Sequence, residues 1–345
     1  MSLKLRDLEI DLPVLAAPMA GGPTTPELVI AAARAGSFGF VPAGYTSPDG
    51  FAAQLATVRA AGVPFGVNLF APNPIRVDPA EFREYAAAIQ READLFDIDL
   101  SSTPIVEDDD HWQAKLDLLI ENPVPVVSFT FGIPDAADIS ALRTAGSVLL
   151  QTVTTLEEAR AAEAAGMDVV LLQASAAGGH SGTLHPSRPT VQRALPDLVR
   201  EVASAVSLPV IAAGGLSTAA DVAAALDAGA VAVAVGTALL LADEAGTSAT
   251  HRAALQDTSR TTTVITRAFT GRPARALEND FTRRYSAIAP IGYPALHHLT
   301  RPIRRAAAAS GDPERLHLWA GTGWRHAEAR PAVDILTALA AQAAI

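Results

Sequence analysis

Short apolar runs recur along the chain, separated by Ala-rich stretches with helical character. The runs predict eight strands, at 14–17, 38–41, 65–69, 124–129, 148–151, 169–173, 210–213 and 231–235. Runs such as VVLLQ and VAVAV do not alternate apolar with polar residues, which is typical of parallel strands covered on both faces. The stretches between them begin at Ser, Thr or Pro and end at Gly, as helices do. The pattern therefore predicts an α/β protein, a (β/α)₈ TIM barrel.

Two regions depart from this alternation. Residues 78–122 contain two helical stretches around an apolar patch, so we expect an inserted helical segment after strand three. Beyond Asp243 the pattern stops, and irregular segments precede a final helix, PAVDILTALAAQ. Aromatic residues of this tail include Tyr285, Tyr293, Trp319 and Trp324. Because the tail is too apolar for disorder, we expect a barrel over 1–243 and an extension over 244–345 that caps the barrel mouth.

Composition narrows the class of protein. The 345 residues exceed the roughly 250 of a minimal barrel, and 49% of them are hydrophobic. No apolar run approaches the roughly 18 residues that span a bilayer, and the start of the chain lacks a signal-peptide pattern, so we expect a cytoplasmic protein without membrane contact. The absence of cysteine excludes disulfides and thiolate chemistry. A net charge of -11 without a basic stripe argues against nucleic acid. We therefore expect a small-molecule ligand. The sequence does not decide the oligomeric state, and a homodimer is one possibility.

An acidic run, Asp108, Asp109 and Asp110, offers two interpretations. It could bind a divalent cation, since carboxylates are suitable ligands. A solvated helix N-terminus, where negative charge is favourable, explains the run better. The histidines show no metal-binding spacing, so we predict no metal site.

Two Gly-rich loops follow the last two predicted strands. Gly214 and Gly215 come after strand seven, while Gly236 and Thr237 come after strand eight and open a helix. In barrels these two loops commonly bind phosphate, because glycine lets backbone N–H groups approach an anion. One Gly-Gly pair alone would be no more than a tight turn. The pairing of the two loops predicts a phosphate site.

The loop after strand six, AGGHSG, combines Gly178 and Gly179 with His180. Imidazole has a pKa suited to proton abstraction near neutral pH, and the glycines allow close approach of a ligand. A turn with a surface histidine is the alternative. We favour His180 as a catalytic base.

Other strand ends carry groups that could meet a flat heterocycle. Ala20 and Gly21 have small side chains or none, so a flat ring could lie against their backbone. The side-chain amides of Asn68, Gln151 and Gln173 offer donors and acceptors at the predicted mouth. A capping turn explains Asn68 nearly as well, and hydrogen bonds inside the barrel would account for the two glutamines. The tail residues Tyr293, His297 and Trp319 are candidates for shaping a small apolar pocket.

The chain resembles the nitronate monooxygenase family, formerly called 2-nitropropane dioxygenases. The likeness is carried by APMAGGPTTPEL, FGVNLFAP, VVSFTFGIP, AGGHSG, PVIAAGGLSTAADVAAALDAGAVAVAVGT, GYPALHHLT and LWAGTG. It implies a barrel that binds FMN, with His180 as the base. The implied FMN contacts are Asn68, Gln173, Gly178, Gly215 and the segment Ala234, Val235, Gly236 and Thr237. Ala176 stands where the family often has Glu.

The resemblance also implies a reaction. Members of the family oxidise alkyl nitronates with O₂ to a carbonyl compound and nitrite. The nearest alternative is an FMN-dependent enoyl-ACP reductase-like enzyme that uses NAD(P)H, and it would share the same site. Two alternatives remain: a barrel without flavin that acts on a nucleotide or a sugar phosphate, and a flavin carrier without turnover.

Overall fold

The computed structural model describes residues 3–5, 8–73 and 75–343. Within them the strands are β1 (Leu3–Leu5), β2 (Leu8–Ile10), β3 (Val14–Ala16), β4 (Phe40–Pro42), β5 (Gly66–Phe70), β6 (Val126–Thr130), β7 (Val148–Val153), β8 (Val169–Gln173), β9 (Gly179–His180), β10 (Val210–Ala213), β11 (Ala232–Val235), β12 (Thr263–Thr266) and β13 (Ala274–Leu277). The α-helices are α1 (Pro26–Arg34), α2 (Pro48–Ala60), α3 (Pro79–Asp94), α4 (Trp112–Glu121), α5 (Ala136–Thr144), α6 (Leu156–Ala164), α7 (Leu195–Ala203), α8 (Ala219–Asp227), α9 (Ala249–Gln256), α10 (Asp280–Tyr285), α11 (Ala295–Ser310) and α12 (Ala332–Ala340).

Eight parallel strands form a central barrel. They hydrogen-bond in the order β4, β5, β6, β7, β8, β10, β11 and β3. The ring closes where the Ala16 N–H donates to the Phe38 carbonyl over 2.9 Å and Ala16 pairs with Gly39. Because helices return the chain between strands, all eight carboxyl ends meet at one mouth. The predicted (β/α)₈ barrel is confirmed, with strand ends that differ by at most two residues from those expected.

Side chains of the barrel strands alternate between two apolar layers. Leu150 and Leu171 belong to the cluster that fills the barrel, whereas their neighbours Leu149 and Val170 pack outward against the helices. This period of two decides which residue of a strand reaches the mouth from inside. A polar residue next to an inward-facing position points away from the barrel interior and toward the surrounding helices.

The helices begin at residues that cap them. The side chains of Thr25, Ser47 and Asp135 accept N–H groups in the first turns of α1, α2 and α5, and Thr218 forms a reciprocal capping box with Asp221 at α8. These caps satisfy N–H groups that a helix start leaves without partners. They also fix the loops that lead from the barrel mouth into each helix.

Between β5 and β6 the chain forms two helices, α3 and α4, where a barrel needs only one. Helix α4 contacts α2 and α5 in the outer ring, while α3 packs against α11 from the tail. Asp108 and Asp109 before α4 are exposed. Asp110 is different, because its carboxylate lies 2.7 Å from the buried Lys115 ammonium. The expectation of a solvated run is therefore wrong for Asp110, where a lysine brought in by the first turn of α4 holds the acid.

The segment after β11 covers the mouth and then returns to the barrel wall. β12 and β13 form a small antiparallel sheet to which β9 is added, so that Ala274 lies opposite His180. The last helix, α12, contacts α8, α1 and β3 and completes the outer ring. The expected division of the chain near residue 243 stays a prediction. Among the described helices, none is both long and apolar enough to cross a bilayer.

Candidate active site

A cavity of about 780 Å³ occupies the barrel mouth. Its volume falls within the 300–1,000 Å³ typical of ligand sites. Of the residues expected at the site, those that line it are Ala20, Gly21, Asn68, Gln173, Gly178, Gly179, His180, Gly214, Gly215, Ala234, Val235, Gly236 and Thr237. The fold thus brings loops from distant parts of the sequence to one chamber.

The loops after β10 and β11 present backbone donors to this cavity. Gly214 and Gly215 have φ of +101° and +77°, a conformation that glycine adopts without strain. Gly236 precedes a 3₁₀ helix, Thr237–Leu239. Within the described residues, the N–H groups of Gly215, Gly236 and Thr237 find no acceptor. Converging free N–H groups at a helix start suit a phosphate.

A cluster of polar side chains lies inside the barrel beneath the cavity. The Asn68 amide donates to Ser128 Oγ over 2.8 Å and to Thr130 Oγ1 over 3.0 Å, and Thr130 Oγ1 lies 3.4 Å from Thr152 Oγ1. All four line the cavity. Ser128, Thr130 and Thr152 were not expected at the site. Ser128 and Thr130 are two positions apart on β6, and this spacing is a signal that could have identified the pair, whereas the sequence of β7 does not mark Thr152 as inward.

Gln173 holds the loop that bears His180. Its Nε2 donates to the His180 carbonyl over 3.1 Å, and its Oε1 accepts the Gly182 N–H over 2.7 Å. The amide therefore fixes both flanks of the loop while the residue also borders the cavity.

Gln151 does not reach the cavity, which corrects the expectation that it would face a ligand. It is fully buried, and its Nε2 donates to the Thr152 carbonyl over 3.1 Å. β7 continues to Val153, so Gln151 is not the strand end. Alternation along β7 turns Gln151 toward the helix layer, and Thr152 is the residue that faces inward.

His180 lies in an aromatic corner of the cavity. The ring centroids of Phe131, Tyr293 and Trp319 are 5.7, 5.8 and 5.3 Å from its own. Its Nε2 is 2.9 Å from Thr270 Oγ1. Desolvation by burial, reinforced by nearby arginines, lowers the pKa of His180 to about 3. The imidazole is therefore neutral at physiological pH.

Two buried arginines give this corner a positive potential. Arg272 stacks 4.0 Å over the Phe131 ring and donates to the carbonyls of Ser181 and Thr183. Arg304 donates to the His297 carbonyl over 2.8 Å. These partners are uncharged, so the charge of each guanidinium is not neutralised by them. Both were missed in the sequence because they lie in the tail, far from any strand end.

Four enclosed histidines should make the fold acid-labile. Burial lowers the pKa of His251 to about 4, and the pKa values of His297 and His317 lie well below the ordinary range, as that of His180 does. A histidine with a lowered folded pKa stabilises the fold above its unfolded pKa, and this contribution is lost as the pH falls toward the folded value.

We expect the free energy of unfolding to fall between pH 6.5 and 4 by roughly 1.4 kcal/mol per pH unit for each of these histidines. Urea titrations at pH 7.5 and 5.5 measure the change, and His251→Gln should make it smaller. Equal free energies of unfolding at the two pH values would contradict this prediction.

Ala176 lies beside the loop after β10. Its carbonyl accepts the Thr322 N–H over 3.0 Å, and a Cβ added at Gly215 would come within 3.0 Å of the Ala176 methyl.

Within the described residues, no group of three His, Cys, Asp or Glu side chains is arranged to hold a metal ion.

Comparison with known proteins identifies the family. The nitronate monooxygenase family model matches residues 3–342. A probable nitronate monooxygenase of Staphylococcus saprophyticus is 37% identical over 322 residues, covering 91% of this chain and 89% of the relative. One from Staphylococcus aureus is 36% identical over 335 residues, covering 96% and 94%.

Solved structures agree with this relationship. A nitroalkane oxidase from Streptomyces ansochromogenes superposes with a TM-score of 0.91 at 44% identity, covering 96% of each chain. FabK from Thermotoga maritima superposes with a TM-score of 0.73 at 27% identity, covering 96% of this chain and 93% of the other. The chain therefore belongs to the nitronate monooxygenase family of flavin-dependent oxidoreductases.

Proposed function

We propose that the protein binds FMN and oxidises alkyl nitronates, and nitroalkanes after deprotonation, with O₂ to a carbonyl compound and nitrite. The observation that carries the proposal is that a neutral histidine and a set of free backbone N–H groups border one cavity. A phosphate site and a proton acceptor that border the same cavity are what this chemistry requires.

The residues present fit FMN. The N–H groups of Gly215, Gly236 and Thr237 would hold the phosphate, while the backbone at Ala20 and Gly21 would lie against the ring system. FMN when bound supplies the electron acceptor that side chains lack. The family relationship supports a flavin, and the phosphate loops favour a form with a terminal phosphate.

His180 would take the proton. Thr270 Oγ1 is placed to donate to the Arg272 carbonyl over 3.4 Å and so to accept from His180 Nε2. In this tautomer the ring proton is on Nε2 and the lone pair is on Nδ1. Nδ1 would then remove the proton from the carbon that bears the nitro group. The C–H bond breaks, its electron pair moves into the nitronate, and the imidazole becomes cationic until it releases the proton.

The two buried guanidinium groups would stabilise the anion. The positive potential of Arg272 and Arg304 that opposes protonation of His180 also favours a nitronate over a neutral nitroalkane. A weakly basic imidazole can then act on an acid whose conjugate base is stabilised. The same potential favours capture of a nitronate already formed in solution.

An absorbance spectrum of the purified protein tests the cofactor, and an anaerobic titration tests the reaction. We expect a flavin band near 450 nm that an alkyl nitronate bleaches and that returns with O₂, together with nitrite. Bleaching by NADPH but not by a nitronate would contradict the proposal and support a reductase. A colourless protein that does not bind added FMN would contradict the cofactor assignment.

A further inference from the structure

A second cavity, of about 290 Å³, lies behind one wall of the large cavity. Thr46, Arg301 and four aromatic residues line both cavities, and we call the aromatic ones, Tyr45, Phe70, Phe131 and His297, the aromatic partition. The small cavity also reaches the side chain of Arg76, which is 86% exposed. The small cavity therefore leads from solvent to the partition.

Tyr45 is the centre of the partition. Its ring stacks on His297, with centroids 4.1 Å apart and an angle of 2° between the planes, and it meets Phe70 edge-on at 5.3 Å. Its hydroxyl accepts a hydrogen bond from the Tyr293 hydroxyl over 3.2 Å. Removing the Tyr45 ring would therefore open the wall between the two cavities.

The catalytic corner is directly beyond the partition. Phe131 and Tyr293 both contact His180, with ring centroids 5.7 and 5.8 Å away. A small molecule that passes Tyr45 from the small cavity thus arrives beside the proton acceptor.

The backbone of Tyr45 is held in an unusual conformation. Its φ is +65°, which a residue with a side chain adopts only when its surroundings fix it. The Tyr45 N–H donates to Asp110 Oδ1 over 3.0 Å, and Asp110 Oδ2 lies 2.7 Å from Lys115 Nζ. Lys115 Nζ in turn donates to the Ala43 carbonyl over 2.9 Å. The two charged residues hold the chain on both sides of Gly44.

We propose that the small cavity is the entrance for the organic substrate of the reaction proposed above, and that Tyr45 sets the size of the molecule that passes. Asp110 and Lys115 are positioning residues, because they act through the backbone of Tyr45. The proposal rests on the proposed function only for the identity of the substrate.

The first test compares nitronates of two sizes, those of nitroethane and 1-nitrohexane. Because one methylene changes discrimination by about tenfold or more in a shaped pocket, we expect Tyr45→Ala to raise the ratio of kcat/KM for the long over the short substrate by at least about tenfold. Tyr45→Phe retains the ring and should leave this ratio within about twofold. The same ratio in Tyr45→Ala and wild type would overturn the proposal.

The second test addresses the positioning residues. Asp110→Asn removes the charge that holds Lys115, so we expect the ratio to shift in the same direction as in Tyr45→Ala, through KM for the long substrate more than through kcat. Asp117→Asn, at an exposed position on the helix that carries Lys115, is the matched control and should retain the wild-type ratio. A fall in kcat that is equal for both substrates would show a merely structural role.

A third measurement does not depend on turnover. Trp319 lies 5.3 Å from His180, and its fluorescence can be isolated in a Trp112→Phe, Trp324→Phe background. We expect Tyr45→Ala and Asp110→Asn to raise the acrylamide quenching constant at least about twofold, and Asp117→Asn to leave it unchanged. Failure of the wild type to oxidise any nitronate would overturn the proposed function alone, whereas unchanged quenching in Tyr45→Ala would overturn the entrance.

Discussion

His180→Asn should lower turnover of neutral nitroalkanes by about 10²- to 10⁴-fold, the usual contribution of a general base. Oxidation of preformed nitronates should change little, since they need no proton transfer. Asparagine retains a polar side chain of similar reach, so the ligand pocket should stay intact. Steady-state kinetics with a nitroalkane and its own nitronate, at equal flavin content, measure the two effects.

Thr270→Val serves as a graded control for this prediction. It removes the hydroxyl 2.9 Å from His180 Nε2 but leaves the imidazole, so the loss on nitroalkanes should be smaller than for His180→Asn. An equal loss on nitroalkane and nitronate in His180→Asn would contradict the assignment of His180 as base and leave it a binding role.

Gly214→Ala should weaken FMN binding by about 10- to 100-fold, because backbone strain of this kind costs on the order of 1–3 kcal/mol. Gly214 has φ of +101°. A Cβ there would lie 2.8 Å from the Ala174 carbonyl oxygen and 3.0 Å from the Ala177 nitrogen. The loop must therefore shift, and the donors of the neighbouring Gly215 shift with it. Fluorescence titration of the apoprotein with FMN measures the affinity.

Gly62→Ala is the matched control. Gly62 also has a positive φ, +65°, but an added Cβ would meet nothing within 4 Å. We expect a small loss of thermal stability and unchanged affinity for FMN. If Gly214→Ala bound FMN as tightly as Gly62→Ala does, the loops after β10 and β11 would not be the phosphate site.

The barrel was predictable because its signal is local and repeated. Each buried strand appears as a short apolar run, and each helix begins and ends at punctuating residues, so errors at one element do not propagate. The glycine loops after β10 and β11 were predictable for the same reason, since they directly follow recognisable strands. Whether they hold a phosphate stays a prediction.

Phase along a strand was harder to predict. Gln151 looked like the polar end of an apolar run, yet β7 continues past it and the inward position belongs to Thr152. β7 is buried along its whole length and its polar residues Gln151 and Thr152 are adjacent, so its sequence carries no polar alternation that would reveal the phase.

The aromatic and cationic surroundings of His180 could not be located in the sequence. The sequence marks Tyr293 and Trp319 as pocket candidates but does not say where the pocket lies, and no local pattern marks Arg272 or Arg304. Their placement depends on β13 pairing with β9 and on α11 crossing the mouth. Contacts over such separations leave no periodic trace in the chain.

The position of α12 bears on the order in which the protein can fold during synthesis. This helix fills the gap between α8 and α1 against β3, yet it follows the entire segment that covers the mouth. On the ribosome, where folding proceeds from the N-terminal side, the seam between β11 and β3 lacks its outer helix until α12 has emerged. The segment that covers the barrel mouth is thus synthesised before the outer ring of helices is complete.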